Sequence, residues 1–431
     1  MKKKVILLWS LFAAMTFSAC TENNDAPINE EAKSNLVVKF NFSETDTRAT
    51  ASTAIPTTSW SNIDQVQLFL YDAAGVVKYS KIVKPNKSGD AGNSVTGGYQ
   101  YTYADVPVGT YTLVAVANAN RTTGTPTVGG FVNTYIDDAP TAPVAVWSDG
   151  NVRAKNITTD LFMKHQAGTF PDFLTSAVPG FSTSNKAYKE PAEIFMGTAV
   201  KGTGATSTKV VTITEGVSTD AGTISLKREV SMMRVRLNVS ESAAGVDNTT
   251  AGTNGIDWTK DASIMIYRLP AKVNIHDART IQASVETDIL SISGTNVFKT
   301  AEPASGYGTG GVILTDNFSM WRDIIVFPNA EDAAKPGKAA IGSQYFIVVS
   351  GQGKVGHQLA DGEVMTAAAP IYWSGIILDT FESNVIREVN LTLKTGGVAD
   401  PPAEPIEYGG LDVVVGTPIA WDSIVSTGID M

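Results

Sequence analysis

The chain has 431 residues, 18% of them charged, and a formal net charge of −10. An acidic chain without a basic stripe argues against a nucleic-acid partner and for a soluble, self-repelling surface. Its single cysteine, Cys20, excludes an intramolecular disulfide, so the fold must stand on its apolar core.

Lys2, Lys3 and Lys4 precede an apolar run over residues 5–17, too short to span a bilayer comfortably. The run ends in Phe17-Ser18-Ala19-Cys20. That order resembles the lipobox of bacterial lipoproteins, which implies a lipid on Cys20 and attachment to the outer membrane through it. A plain signal peptide with a chance cysteine is the alternative. Residues 21–34 are polar and aperiodic and read as a tether.

The next stretch alternates cleanly. Leu36, Val38, Phe40 and Phe42 fall on one face and Val37, Lys39 and Asn41 on the other, the period of a half-buried strand. Residues 43–47 are all polar and lead to Arg48-Ala49, a segment open to proteolytic nicking. Taken alone, this reads first as an ordinary strand and loop. The sharper alternative is a core strand on a cuttable link, built to be removed.

Residues 49–215 read as a first domain. Strands are expected over 63–71, 76–83, 99–106, 109–118, 194–200 and 209–214, from period-two alternation between Gly-, Pro- and Asn-bearing turns. Between 121 and 191 the pattern dissolves, leaving only a short helix expected over 159–166. Residues 216–400 read as a second domain. There 230–239 should be a strand with a dry face (Met233, Val235, Leu237) and a wet face (Arg234, Arg236, Asn238). Further strands are expected over 262–269, 280–293, 323–328, 344–350, 371–378 and 385–394. Many short strands and few helices argue for an all-β chain with an antiparallel sandwich in each half. After Pro401-Pro402, residues 401–431 carry two more strands, 411–415 and 419–425, with Leu411, Val413, Val415, Ile419 and Trp421 at alternating apolar positions. They make either a last hairpin or a segment that pairs with another molecule.

Enzyme readings fare badly. His165, His276 and His357 are scattered without metal-ligand spacing, and no G-x-S-x-G is present. Gly306-Tyr307-Gly308-Thr309-Gly310-Gly311 matches G-x-G-x-x-G, but Pro-bearing sequence precedes it where a strand is required. No catalytic residue, metal or cofactor is expected.

The order of parts resembles the fimbrillins, the subunits of type V pili. The lipobox, the alternating first strand, Arg48, two β-rich halves and a C-terminal strand pair with Trp421 all take part. The stretches GTYTLVAVAN (109–118), EIFMGTAV (193–200) and VSMMRVRLNV (230–239) are similar to those of that family as well. The resemblance implies two tandem antiparallel β-sandwiches of transthyretin-like or Greek-key type with a C-terminal strand appendage. It implies a lipid on Cys20 of the precursor and cleavage by an Arg-specific surface protease between Arg48 and Ala49. It also implies exchange of the strand bearing Leu36, Val38, Phe40 and Phe42 for a donor strand, drawn from 411–431 of another fimbrial subunit. Two alternatives stand beside it. One is a permanently anchored surface lipoprotein that binds a glycan or protein through aromatics such as Trp147, Trp321 or Trp373; the other is a fimbrial tip adhesin.

Overall fold

Period-two alternation becomes strand almost everywhere it occurs. The structure, a computed structural model, describes residues 32–42, 63, 65–84, 92–95, 98–118, 152–163, 165, 167–174, 184–191, 193–238, 255–270, 273–276, 284–298, 320–402 and 410–420. In chain order the first half contains β1 (Lys33–Phe42), β2 (Val66–Tyr71), β3 (Val77–Val83), β4 (Asn93–Val95), β5 (Gly98–Pro107), β6 (Gly109–Ala117), β7 (Phe162–Met163), β8 (Lys186–Tyr188), β9 (Phe195–Val200), β10 (Val210–Ile213) and β11 (Thr219–Arg228). The second half contains β12 (Ser231–Asn238), β13 (Ile256–Asp257), β14 (Ser263–Pro270), β15 (Val273–Asn274), β16 (Ser284–Ser293), β17 (Met320–Val326), β18 (Tyr345–Gly353), β19 (Ala369–Ile377), β20 (Val385–Leu393), β21 (Leu411–Val415) and β22 (Ile419–Ala420). The chain is all-β in class.

The first sheet runs β3-β2-β6-β9-β11-β1-β5-β4, with β10 added on β6. It curls, because strands far apart in that order meet. The rings of Tyr79 in β3 and Tyr103 in β5 lie 6.4 Å apart, and the Tyr79 hydroxyl donates to the Ala104 carbonyl at 3.2 Å. Within the curl lies one apolar cluster, with Leu36, Val38, Phe40, Leu68, Leu113 and Ile224 among its members. The second half places β17-β12-β20-β21, with β22 on β20, against β13-β18-β14-β16-β8, with β19 on β18. Met233, Val235 and Leu237 meet Ile264, Ile347 and Trp373 in the core between them.

A third cluster joins the halves. Phe69, Val114 and Val116 from the back of the first sheet pack with Met232, Trp321, Ile325 and Ile386. At its border sits Arg228, whose side chain is wholly buried. Its Nε donates to Glu193 Oε1 at 2.8 Å, Nη2 reaches the same oxygen, and Nη1 donates to Asn384 Oδ1 at 2.6 Å. The guanidinium also lies 5.2 Å from the Phe195 ring centre. A guanidinium this buried is tolerated because a counter-charge, an amide oxygen and a ring face together replace its water.

Four sequence expectations change. The helix expected over 159–166 is not formed, since Phe162–Met163 is a strand paired with Val273–Asn274; eight residues give little return on a costly helical nucleus. Residues 219–228 were expected to open the second half, yet β11 pairs with β1 and β9 of the first sheet. The wet face of β12 is covered: Arg234 is 2% and Arg236 6% exposed. Cross-strand carboxylates neutralise them, Arg234 through a two-pronged contact with Asp323 at 2.8 and 3.0 Å and Arg236 at 3.5 Å from Glu388. Finally, the sheets are mixed, because β1 with β11, β12 with β20 and β8 with β16 run parallel.

β21 reaches the seam between the two second-half sheets because β19 carries a glycine there. A β-carbon at Gly375 would stand 2.5 Å from Cγ2 of Val413. Gly375→Ala should therefore push β21 outward and cost about 1–3 kcal/mol. Urea denaturation reads the loss, and amide exchange should quicken over 411–415 but not over 98–107.

Candidate functional site

The strand β1 owes its place to its own alternation. Leu36, Val38 and Phe40 are 0% exposed and point into the first core, while Val37, Lys39 and Asn41 are only partly covered. The backbone of β1 is paired on both sides. Leu36 to Phe42 run parallel to Thr219–Leu226 of β11, and Lys33 to Asn41 run antiparallel to Gly98–Pro107 of β5. Its start is fastened as well, by the Val108 amide donating to the Ala32 carbonyl at 2.9 Å and the Ser34 hydroxyl donating to the Val217 carbonyl at 2.6 Å.

β1 is therefore an interior strand lying beside a link that sequence alone marks as cuttable. Fully burying three side chains of this kind contributes about 5–9 kcal/mol, against a total of about 5–15 kcal/mol for a whole domain. Take β1 away and β11 and β5 face each other across a slot with two unpaired edges and an apolar floor. The chemistry such a slot can perform is capture of an extended strand with apolar side chains at alternate positions. Gly98 sets its tightest point: a β-carbon there would come within 1.8 Å of the Phe40 carbonyl oxygen.

The C-terminal segment lies elsewhere, at the edge of a different sheet. β21 pairs antiparallel with β20 over Leu411–Val415, and β22 adds two further pairs, Val385 with Ala420 and Ile386 with Ile419. Leu411 is 5% exposed, Val413 and Val415 are half-buried against the second core, and Val414 is 56% exposed. A groove of about 650 Å³ beside β21 is lined by Ile376, Leu378, Leu411 and Val413, with Lys394 and Asp412 among its polar residues. Residues 411–420 thus pack in cis here, not in the slot of their own chain.

The remaining residues singled out from the sequence do not gather into a site. Cys20, Arg48, Ala49, Trp147, Trp421 and the glycine run at 306–311 lie outside the described residues, as do the side chains of Phe42 and Ile419. Trp321 and Trp373, expected to be exposed, are buried at 5% and 0%. The indole of Trp373 donates to the Thr395 carbonyl at 2.9 Å, so neither ring can stack on a sugar. His357 Nε2 sits 2.7 Å from the Gly396 carbonyl, His276 stands edge-on to Tyr71, and His165 packs edge-on to Phe327 at 4.7 Å. Among the described residues no three His, Cys, Asp or Glu gather to hold a metal ion. Sequence reading missed the Arg228–Glu193–Asn384 contact. Its only signal was an arginine in the charged run Lys227-Arg228-Glu229 just after an apolar alternation, a pattern that surface arginines share.

Two measurements check this account. Phe40→Ala should destabilise the chain by about 3–5 kcal/mol, through lost burial and the cavity left behind, as read by urea denaturation. His165 supplies the second: it is wholly buried, and desolvation lowers its pKa from 6.5 to about 3. The unfolded chain binds a proton below pH 6.5 that the folded one refuses until about pH 3, so stability falls as pH falls through that window. His165→Leu should flatten the acid-side slope by about 1.4 kcal/mol per pH unit there, as followed by denaturation from pH 7 to 4.

A family model of the fimbrillin-A associated anchor proteins Mfa1 and Mfa2 matches residues 25–302. A search of curated proteins finds no match. Similar solved structures include the fimbrial anchor protein Mfa2 from Porphyromonas gingivalis, at 8% identity and TM-score 0.36, covering 83% of this chain and 90% of that one. A fimbrilin from Porphyromonas gingivalis W83 gives 13% identity and TM-score 0.36, covering 90% and 97%. A candidate cell adhesion protein from Bacteroides eggerthii gives 12% identity and TM-score 0.44, covering 90% and 96%. The assignment rests on the family match, which spans well over half the sequence and includes β1 and its slot: the chain belongs to the family of fimbrillin-A associated anchor proteins Mfa1 and Mfa2.

Proposed function

We propose that this chain is a structural component of a cell-surface fimbria in which β1 is a place-holder. On this reading it is exported as a lipoprotein through Cys20 and held at the outer membrane by that lipid. An Arg-specific surface protease cuts between Arg48 and Ala49, and a strand from another fimbrial subunit fills the slot between β11 and β5. The observation that carries the reading is the interior position of β1, with Leu36, Val38 and Phe40 fully buried and both edges paired. Losing such a strand leaves the molecule near its stability limit and strongly driven to accept a replacement. The matching donor is the segment 411–431. To serve, it leaves β20 and offers Leu411, Val413 and Val415 to a neighbour. A head-to-tail contact of that type does not close on itself and so yields a filament.

A second reading has its own support. The family description names anchor proteins, and an anchor would keep both its lipid and β1, with β21 staying on β20. Binding of a glycan through exposed tryptophans has no support from Trp321 or Trp373, since both are buried.

The N-terminus of the surface-exposed protein decides between the two. Mass spectrometry should find a mature chain starting at Ala49, and deleting 411–431 should abolish polymers in a surface preparation while the monomer still folds. A chain starting at lipidated Cys20 with 33–42 retained, and filaments that survive the deletion, would replace the subunit reading with the anchor reading.

A further inference from the structure

The exit of β1 and β22, at the far end of the described C-terminal segment, meet around one buried arginine. Phe42, the last residue of β1, pairs with Leu226 of β11. Two residues on, Arg228 ends β11 and sends Nη1 to the Asn384 side chain at 2.6 Å. Asn384 holds a left-handed turn, with φ of 60°, and its amide donates to the Val230 carbonyl at 3.0 Å. Directly after that turn, Val385 and Ile386 of β20 carry both backbone pairs that hold β22. Ser231 Oγ fastens the same point by donating to the Val385 carbonyl at 3.0 Å, and Ser383 Oγ donates to Glu229 Oε2 at 3.0 Å. Between the end of β1 and β22 there is thus a run of paired backbone and part-buried polar contacts, while β21 enters at the other end of β20, with Leu411 opposite Leu393.

We infer that this contact is a latch: while β1 is seated, Arg228 fixes the Asn384 turn and the C-terminal strands stay docked on β20; when β1 leaves, the turn loosens and they are released. The inference rests on the fimbrial-subunit reading and adds an order of events to it. The tail is withheld as a donor until the same molecule has become an acceptor, so polymerisation does not begin before cleavage. The two-state element that such a link requires is present. Among the described residues β22 adds two backbone pairs to β20, and a short element at the end of a sheet belongs to the low-stability end of a fold, where small biases move large populations. With β1 seated, Arg228 also bonds Glu193, two residues before β9, and faces the Phe195 ring, so it can follow the end of β11 without losing its counter-charge. The left-handed turn is where the bias acts. An asparagine held at positive φ by a side-chain hydrogen bond has other backbone conformations open to it once that bond weakens.

Hydrogen exchange of the intact full-length chain tests the latch. Phe40→Ala and the milder Val38→Ala loosen β1 without removing it, and Asn384→Gly keeps the left-handed backbone while deleting the acceptor of Arg228. Both β1 variants should quicken exchange over 33–42 and also over 411–420, by about fivefold or more at the tail, with 345–353 of β18 unchanged. In Asn384→Gly the tail should exchange fast from the start and no longer respond to Phe40→Ala. A tail that ignores a loosened β1 overturns the inference. So does a response that survives Asn384→Gly unchanged, and so does β18 quickening in step with the tail in both β1 variants. These outcomes are independent of where the mature chain begins: a lipidated Cys20 terminus would remove the subunit reading and leave the exchange result standing.

Discussion

The insertion of β1 between β11 and β5 is the constraint on which the first half of the molecule depends. Without it the order β3-β2-β6-β9-β11-β1-β5-β4 breaks into two pieces. The curl that lets Tyr79 of β3 meet Tyr103 of β5 then loses its middle. Apolar burial supplies the energy, through Leu36, Val38 and Phe40, and the paired backbone supplies the fit. An interior strand at the chain's start is costly to fold around, since its partners in β5 and β11 are distant in sequence. Among the described strands it comes first in the chain, so a cut after it would free it without threading a loop.

The second half is organised around β12 and β20 in the same way, with arginines where a water-facing surface was expected. Arg234 and Arg236 sit under cover, each matched by a carboxylate on a neighbouring strand, and Arg228 at the end of β11 is matched by Glu193. Buried pairs of this kind add little net stability compared with apolar packing. What they fix is register and orientation, because a guanidinium buried with its carboxylate tolerates no one-residue slip. Between the two halves, that role falls to Arg228.

Alternation made most of the architecture legible. β1, β5, β20 and β21 are readable because one face is dry and the other less so, and the four buried positions of 411–415 and 36–40 follow the same rule. Four features stayed hidden for physical reasons. Strands of two or three residues, such as β7, β8, β13 and β15, are too short to show a period and exist only because a neighbour pairs with them. β2 is covered on both faces, so Gln67, hydrogen-bonded to Ser80 at 2.9 Å, lies as deep as Leu68. Parallel pairing leaves no mark in a sequence when the strands concerned are as far apart as Leu36 and Thr219, Met232 and Ile386, or Lys186 and Asp288. Trp321 and Trp373 looked like surface aromatics because composition does not reveal which face of a strand a second sheet will cover. For the candidate site, the strand and its buried residues were legible; the junction at Arg228 was not, since its partners, Glu193 and Phe195 on one side and Asn384 on the other, come from two distant parts of the chain.

The mixed pairing of β1 carries an implication for direction. Its hydrogen bonds to β11 are evenly spaced and slanted, whereas those to β5 come in alternating narrow and wide pairs. Close against Gly98 stands a carbonyl with no room for a side chain in between. Any peptide that reproduces these bonds must travel the same way as β1, because reversing it would swap the two patterns and turn the carbonyl away. The vacated channel would therefore be polar in the geometric sense, admitting a guest in one heading only, and a fibre made through it would have a distinguishable head and tail fixed by a single stretch of backbone.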